Sequence, residues 1–214
     1  MLTGIRNIIW DWNGTLLDDV DICVDSINIL LEKRKLPLMN IDRYKELFSF
    51  PVIEYYKNIG FDFTAEVYDE VATEFMTAYL DRLPSAGLFP QILPLLEACR
   101  QGGYQQAVLS AMEQDTLDSS IQSKGIQHYF TKIVGIDNHH AVGKLENAER
   151  ILKEINGKAS ETLLIGDTLH DFEVASAIGC PYLLIGSGHQ SLRRLSEHGR
   201  STAESHDRLL EFFD

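Results

Sequence analysis

Apolar positions along the chain fall into two periods. Short runs rich in branched residues recur at Ile5–Trp10, Gln106–Leu109, Lys132–Ile136, Thr162–Ile165 and Tyr182–Ile185. Each has a length suited to a strand buried on both faces. Between the later runs, apolar residues return at helical spacing in "PQILPLLEACRQGG", "EQDTLDSSIQSKG", "KLENAERILKEING" and "HDFEVASAIG". All four close on glycine, a natural C-terminal stop for a helix. Strand and helix alternating in this way predict right-handed βαβ units around a parallel sheet.

From about Val20 to Leu83 the pattern differs. "DICVDSINILLEKRKL", "DRYKELF", "VIEYYKNIGF" and "AEVYDEVATEFMTAYLDRL" are helix-like, with no convincing strand between them. The expected fold is therefore α/β: a three-layer α/β/α, Rossmann-like parallel-sheet core of residues 1–18 and 85–214, with an all-helical insert at 19–84. The second boundary falls near Leu83–Pro90.

Composition narrows the partners. The 214 residues suffice for one medium domain with an insert. A net charge of −13 argues against a nucleic-acid backbone or anionic lipid as partner. No apolar run reaches membrane-spanning length, and "MLTGIRNII" lacks a secretory n-region and cleavage site. Cys23, Cys99 and Cys180 are odd in number and lack metal-like spacing, which fits a reducing cytoplasm.

Ligands of an open parallel sheet gather at the carboxyl ends of its strands. After the first strand come Asp11, Asn13, Gly14 and Thr15; after the second, Ser110; after the fourth, "IGDTLHD" with Asp167 and Asp171. Gly143 and Lys144 open the helix before that fourth strand. Carboxylates, a hydroxyl and an ammonium on one edge suit phosphoryl transfer. Two carboxylates can hold a hard divalent cation such as Mg²⁺. The ion and a lysine would neutralise phosphate oxygens, while Ser110 and amides near Gly14 hydrogen-bond them. A carboxylate oxygen of Asp11 could then attack phosphorus. Simpler readings stand beside these: a turn residue at Asp11, an N-cap at Ser110, and an N-cap with a first-turn acid at Asp167 and Asp171. His170 is expected to face solvent. "NHH" at Asn138–His140 lacks a third metal ligand at suitable spacing.

Taken in order, "DWNGTLLDD", Ser110, Lys144 and "GDTLHD" resemble the four motifs of the haloacid dehalogenase-like superfamily, in its phosphoglycolate phosphatase-like branch. The resemblance implies a phosphatase acting on a small phosphorylated metabolite, with the helical insert as a cap over the site. It implies that Asp11 is nucleophile and Mg²⁺ ligand, that the Asn13 carbonyl and Asp167 are further ligands, and that Asp171 orients the metal's waters or Lys144. Ser110 and Lys144 would hold the phosphate, and Thr15 would support the loop. Phe48, Phe50 and Tyr55 in the cap could face substrate, with Lys45 or Lys57 meeting its charge.

One position departs from the family. Its phosphatases place Asp where this chain has Asn13, and an amide cannot exchange a proton near neutral pH. The backbone carbonyl is unaffected, but proton transfer worth ~10²–10⁴ in rate is removed. Three readings follow: a phosphatase that is slow or prefers leaving groups needing little protonation; phosphonoacetaldehyde hydrolase-like C–P cleavage through a cap lysine (Lys33, Lys35, Lys45 or Lys57); and a non-turnover phosphate-binding or regulatory protein.

Overall fold

A computed structural model describes residues 4–136 and 143–213. β1 (Asn7–Trp10) is buried at all four positions. The chain then makes a two-residue strand, β2 (Leu17–Asp18), and enters four helices: α1 (Val20–Lys33), α2 (Ile41–Leu47), α3 (Val52–Asn58) and α4 (Tyr68–Arg82). It returns through β3 (Gly87–Leu88), which pairs antiparallel with β2, so exit and re-entry are tied together. The alternating half follows: α5 (Ile92–Gln101), β4 (Gln105–Glu113), α6 (Gln114–Ser123), β5 (Lys132–Ile136), α7 (Lys144–Glu154), β6 (Thr162–Gly166), α8 (Leu169–Ile178), β7 (Tyr182–Ile185), α9 (Leu192–Ser196), β8 (Thr202–Ala203) and α10 (His206–Phe213).

The six-stranded sheet runs β5-β4-β1-β6-β7-β8 with every pairing parallel. Alternation along β1 creates three layers, because successive side chains point to opposite faces. Ile8 and Trp10 join a core with Leu95, Leu96, Leu117, Ile121 and Leu209, from α5, α6 and α10. Ile9 joins a separate core with Ala148, Ile151, Val174 and Ala175, from α7 and α8. The Trp10 indole is buried without an unpaired donor, since Nε1 donates to Gln106 Oε1 at 3.0 Å. From β1 the chain moves outward to β4 and β5, then crosses back to β6 on β1's other side. That reversal places a crevice at the carboxyl end of β1, where open α/β sheets bind ligands.

Several expectations shift in detail. The first strand begins at Asn7 rather than Ile5. The second runs to Glu113, so Ser110 lies within β4, not after it, at a register irregularity between Leu109 and Glu113. The N-cap before α8 is Thr168 rather than Asp167. The Asn138–His140 motif lies outside the described residues. The described helices include none long and apolar enough to cross a membrane.

Candidate active site

Asp11 continues the ladder of β1 by one bond, its N–H donating to the Ile165 carbonyl at 2.8 Å. The chain then turns back: Leu16 and Leu17 N–H both donate to the Trp12 carbonyl at 2.9 Å, and Gly14 N–H donates to Leu17 O. Gly14 has φ +69°, and a β-carbon there would collide with the Asp167 carboxylate and the His189 ring. The loop can approach the next strand's acid only because position 14 has no side chain. Thr15 ties the same acid from the other side, Oγ1 donating to Asp167 Oδ1 at 3.1 Å.

Asp11, Asp167 and Asp171 are all buried and can bring one oxygen each within 4.8 Å of the others. Lys144, the first residue of α7 and 4% exposed, reaches into this group. Its Nζ donates to Asp11 Oδ1 at 2.6 Å and Asp171 Oδ1 at 2.7 Å. Asp171 is held from behind by a capping box, Oδ2 accepting from Thr168 N at 3.0 Å and Thr168 Oγ1 at 2.8 Å. Ser110 is buried, accepts from Met112 N at 3.0 Å and approaches Asn13 Oδ1 at 3.4 Å. The predicted residues thus converge on one edge.

Positive charge is short there. Burial pushes Asp11 well above the usual carboxylate range; Lys144 opposes that, while Asp171 and Asp167 reinforce it. Burial raises Asp167 to about 6 against the pull of His189, with Asp171 adding to the rise. Lys144 is held above its ordinary value because Asp11 and Asp171 outweigh its own desolvation. One ammonium cannot balance three buried carboxylates. An all-oxygen donor set with surplus negative charge fits a hard divalent cation.

A second network was missed from the sequence. Asp19, 1% exposed, stands immediately before α1. Its Oδ2 accepts from Asn13 Nδ2 and Tyr79 Oη, each at 2.8 Å, and Oδ1 accepts from Gly14 N at 2.9 Å. Asn13 Nδ2 also donates to Tyr79 Oη at 2.8 Å. A carboxylate only accepts, so the Asn13 amide must turn its NH₂ to Asp19 and its oxygen toward Ser110. His189 Nε2 lies 3.2 Å from Asp19 Oδ1, its Nδ1 2.9 Å from Tyr44 Oη, and its backbone N–H donates to Asp167 Oδ2 at 2.5 Å. Burial disfavours the imidazolium, but Asp19 overrides this and pushes His189 up to about 9. Burial likewise works against the Asp19 carboxylate, yet His189 and the bonds from Asn13 and Tyr79 keep it below its ordinary value.

A cavity of about 200 Å³ opens above these groups. Its floor holds Asp11, Lys144, Asp167 and His189, and the helical segment lines its other side. Phe48, Phe50 and Tyr55 are on that lining. Lys45 and Lys57 are not: Lys45 Nζ donates to Ser187 O at 2.8 Å, and Lys57 pairs with Glu54 at 2.7 Å. His170 does not face solvent freely. Its ring packs on Phe50 at 4.8 Å and its Nε2 is buried without a partner among the described residues.

Comparison with known proteins bears on the family and the fold. A family model described as haloacid dehalogenase-like hydrolase matches residues 8–185. Phosphoglycolate phosphatase of Pectobacterium atrosepticum is 27% identical, over 84% of this chain and 79% of that protein. Tyrosine-protein kinase PtkA of Mycobacterium tuberculosis is 26% identical over 85% of this chain, which spans 62% of the kinase's length. The solved structure of PtkA superposes with a TM-score of 0.81, at 23% identity and 98% coverage of both chains. A haloacid dehalogenase-like family protein of Streptococcus pneumoniae gives 0.77, at 21% identity, covering 99% of this chain and 100% of its own.

Proposed function

This chain belongs to the haloacid dehalogenase-like hydrolases, and from that membership we propose that it is a Mg²⁺-dependent phosphatase of small phosphorylated metabolites, phosphoglycolate phosphatase-like in type. The observation that carries the reading is the convergence of Asp11, Lys144, Asp167 and Asp171 beneath a cavity.

Asp11, Asp167 and the Asn13 carbonyl would hold the cation, with Asp171 behind them. When bound, the ion neutralises charge on the transferring phosphoryl oxygens. Asp11 attacks phosphorus, the bond to the leaving oxygen breaks, and an aspartyl-phosphate forms; water then releases phosphate and restores the carboxylate. Lys144 and Ser110 bind the phosphoryl oxygens, and Asp171 steers Lys144 through its 2.7 Å bond. Helices α1–α4, residues 19–84 with their flanks, act as a cap that excludes water.

The lysine chemistry of C–P cleavage finds no support among the described residues, because Lys33, Lys35, Lys45 and Lys57 are all absent from the cavity lining. The test is phosphate release from a panel of phosphoesters with and without Mg²⁺. Release that depends on Mg²⁺ and disappears in Asp11→Asn supports the proposal. Binding of phosphate or a metallofluoride without turnover of any ester would replace it with the phosphate-binding reading.

A further inference from the structure

The cavity differs in character from its floor. Beyond the carboxylates and Lys144, its walls are Phe48, Tyr55, Tyr56, Tyr68, Phe75 and Met76, among other apolar groups. Among the described lining residues the only cationic groups are Lys144 and His189, both already bonded to carboxylates. No arginine or lysine of the helical segment is on the described lining, and several are engaged elsewhere: Arg34 with Glu66 and Glu74, Lys33 with Glu74, Arg43 with the Leu38 carbonyl. A substrate whose leaving group carries a carboxylate or second phosphate would bury that charge unpaired, which is strongly unfavourable. A planar apolar group would instead meet aromatic edges and faces. The volume suits one ring, since a cavity of about 150 Å³ lined by apolar side chains accommodates benzene. Tyr55 lines the same space, its hydroxyl buried without a hydrogen-bond partner among the described residues.

A separate observation concerns the leaving oxygen. The two N–H groups of Asn13 point to Asp19 and Tyr79, Tyr79 Oη donates to Asp19, and both nitrogens of His189 are engaged. None of Asn13, Tyr79 and His189, the polar groups beside Asp11, therefore has an N–H or O–H free for a departing alkoxide. A phenolate, with a conjugate acid near ~10, leaves without one far more readily.

Resting on the phosphatase reading above, we propose that the substrate is a small aryl phosphate monoester, its ring seated among the cap aromatics and its phosphoryl group on Asp11 and Lys144. The P–O bond to the phenolic oxygen breaks as the Asp11–phosphorus bond forms. The phenolate takes a proton from water.

The experiment uses wild-type protein with Mg²⁺. Phenyl phosphate should exceed cyclohexyl phosphate, which is of similar size, by about 100-fold or more in kcat/KM. Substituted phenyl phosphates should show rates falling steeply as leaving-group pKa rises. 2-Phosphoglycolate and glycerol phosphate should be poorer still. Phosphoglycolate at or above phenyl phosphate would overturn the inference and leave the phosphatase standing, and so would a phosphotyrosyl peptide that outpaces phenyl phosphate. Non-hydrolysable phosphonates separate the two failures. If no ester turns over, the phosphatase reading falls; benzylphosphonate binding at least tenfold tighter than phosphonoacetate still supports the aryl pocket, and equal or reversed binding overturns it.

Discussion

Restoring the family's aspartate at position 13 is the obvious way to recover proton transfer, and the geometry says it should fail alone. Asn13 Nδ2, half-buried, sits 2.8 Å from Oδ2 of the buried Asp19. Asn13→Asp replaces that donor with a second carboxylate oxygen at the same place. Two charges at 2.8 Å repel by about 6 kcal/mol at an effective dielectric near 20. The pair relieves this by sharing one proton, but the shared proton lies between positions 13 and 19 and not toward the leaving group. Stability should fall by on the order of 3 kcal/mol, roughly 6–12 °C in melting temperature for a chain this long.

The double variant Asn13→Asp/Asp19→Asn should behave differently. The new amide at position 19 can donate to the carboxylate at position 13, while its oxygen still accepts from Gly14 N and His189 Nε2. The bond between positions 13 and 19 is kept with donor and acceptor exchanged, and Tyr79 Oη can donate to position 13 in place of position 19. Turnover of an alkyl phosphate should then rise about 10²-fold or more over wild type, against less than tenfold for Asn13→Asp alone. Steady-state kinetics and thermal melts on the full cycle of four proteins measure the coupling directly. If the single variant gains as much rate as the double one and keeps its melting temperature, the account of Asp19 is wrong.

The remaining predictions address the floor of the site and its charge. Asp11→Asn should abolish phosphate release while leaving the melting temperature unchanged or higher, because it thins a crowded set of buried carboxylates; calorimetry and a phosphate assay read both. Saturating Mg²⁺ at about 100 times its Kd should stabilise the wild type by about 2.7 kcal/mol, and Asp167→Asn should lose most of that shift in a thermal melt. Lys144→Ala should cost on the order of 3–5 kcal/mol, since it leaves Asp11 and Asp171 buried without their shared cation. His189 has its pKa raised from 6.5 to about 9, so its contribution to stability is full below 6.5 and lost as pH rises through 9. Denaturant titrations of wild type and His189→Gln across that window should show the slope vanish in the variant.

Which residues of the site could be read from the chain depends on how local their signal is. Asp11, Asp167 and Lys144 sit at the end of a strand or the start of a helix, so the rule that ligands gather at strand ends reaches them. The same rule applied a few residues beyond β7 would have reached His189, in the loop "GSGHQ". Asp19 reads as an ordinary acid at a helix start, and nothing in "LLDD" tells that its carboxylate faces Asn13. Tyr79 lies 66 residues from Asn13 in sequence, and no periodicity announces a contact that only the return of α4 creates. Ser110 was displaced for a backbone reason: the polar residue interrupts the apolar run, yet the strand continues through the irregularity to Glu113. β2, β3 and β8 have two residues each, too few to show a period.

Asn13 taken alone looks like a family aspartate that has lost its function. Beside Asp19 it is one half of a pair. The site carries a further carboxylate next to the acidic floor, as the family pattern expects, but at position 19, where His189 neutralises it and Tyr79 and Gly14 consume its acceptors. An amide at position 13 is what that arrangement requires, because only a donor can lie between Asp19 and the Ser110 side of the loop without adding charge to three carboxylates already short of cations. Electrostatics thus removes the acid from the leaving-group side for a structural reason. On the proposed reading, the chemistry that the acid would have supplied comes from the substrate, and an aryl leaving group among the aromatic walls of the cavity would supply it.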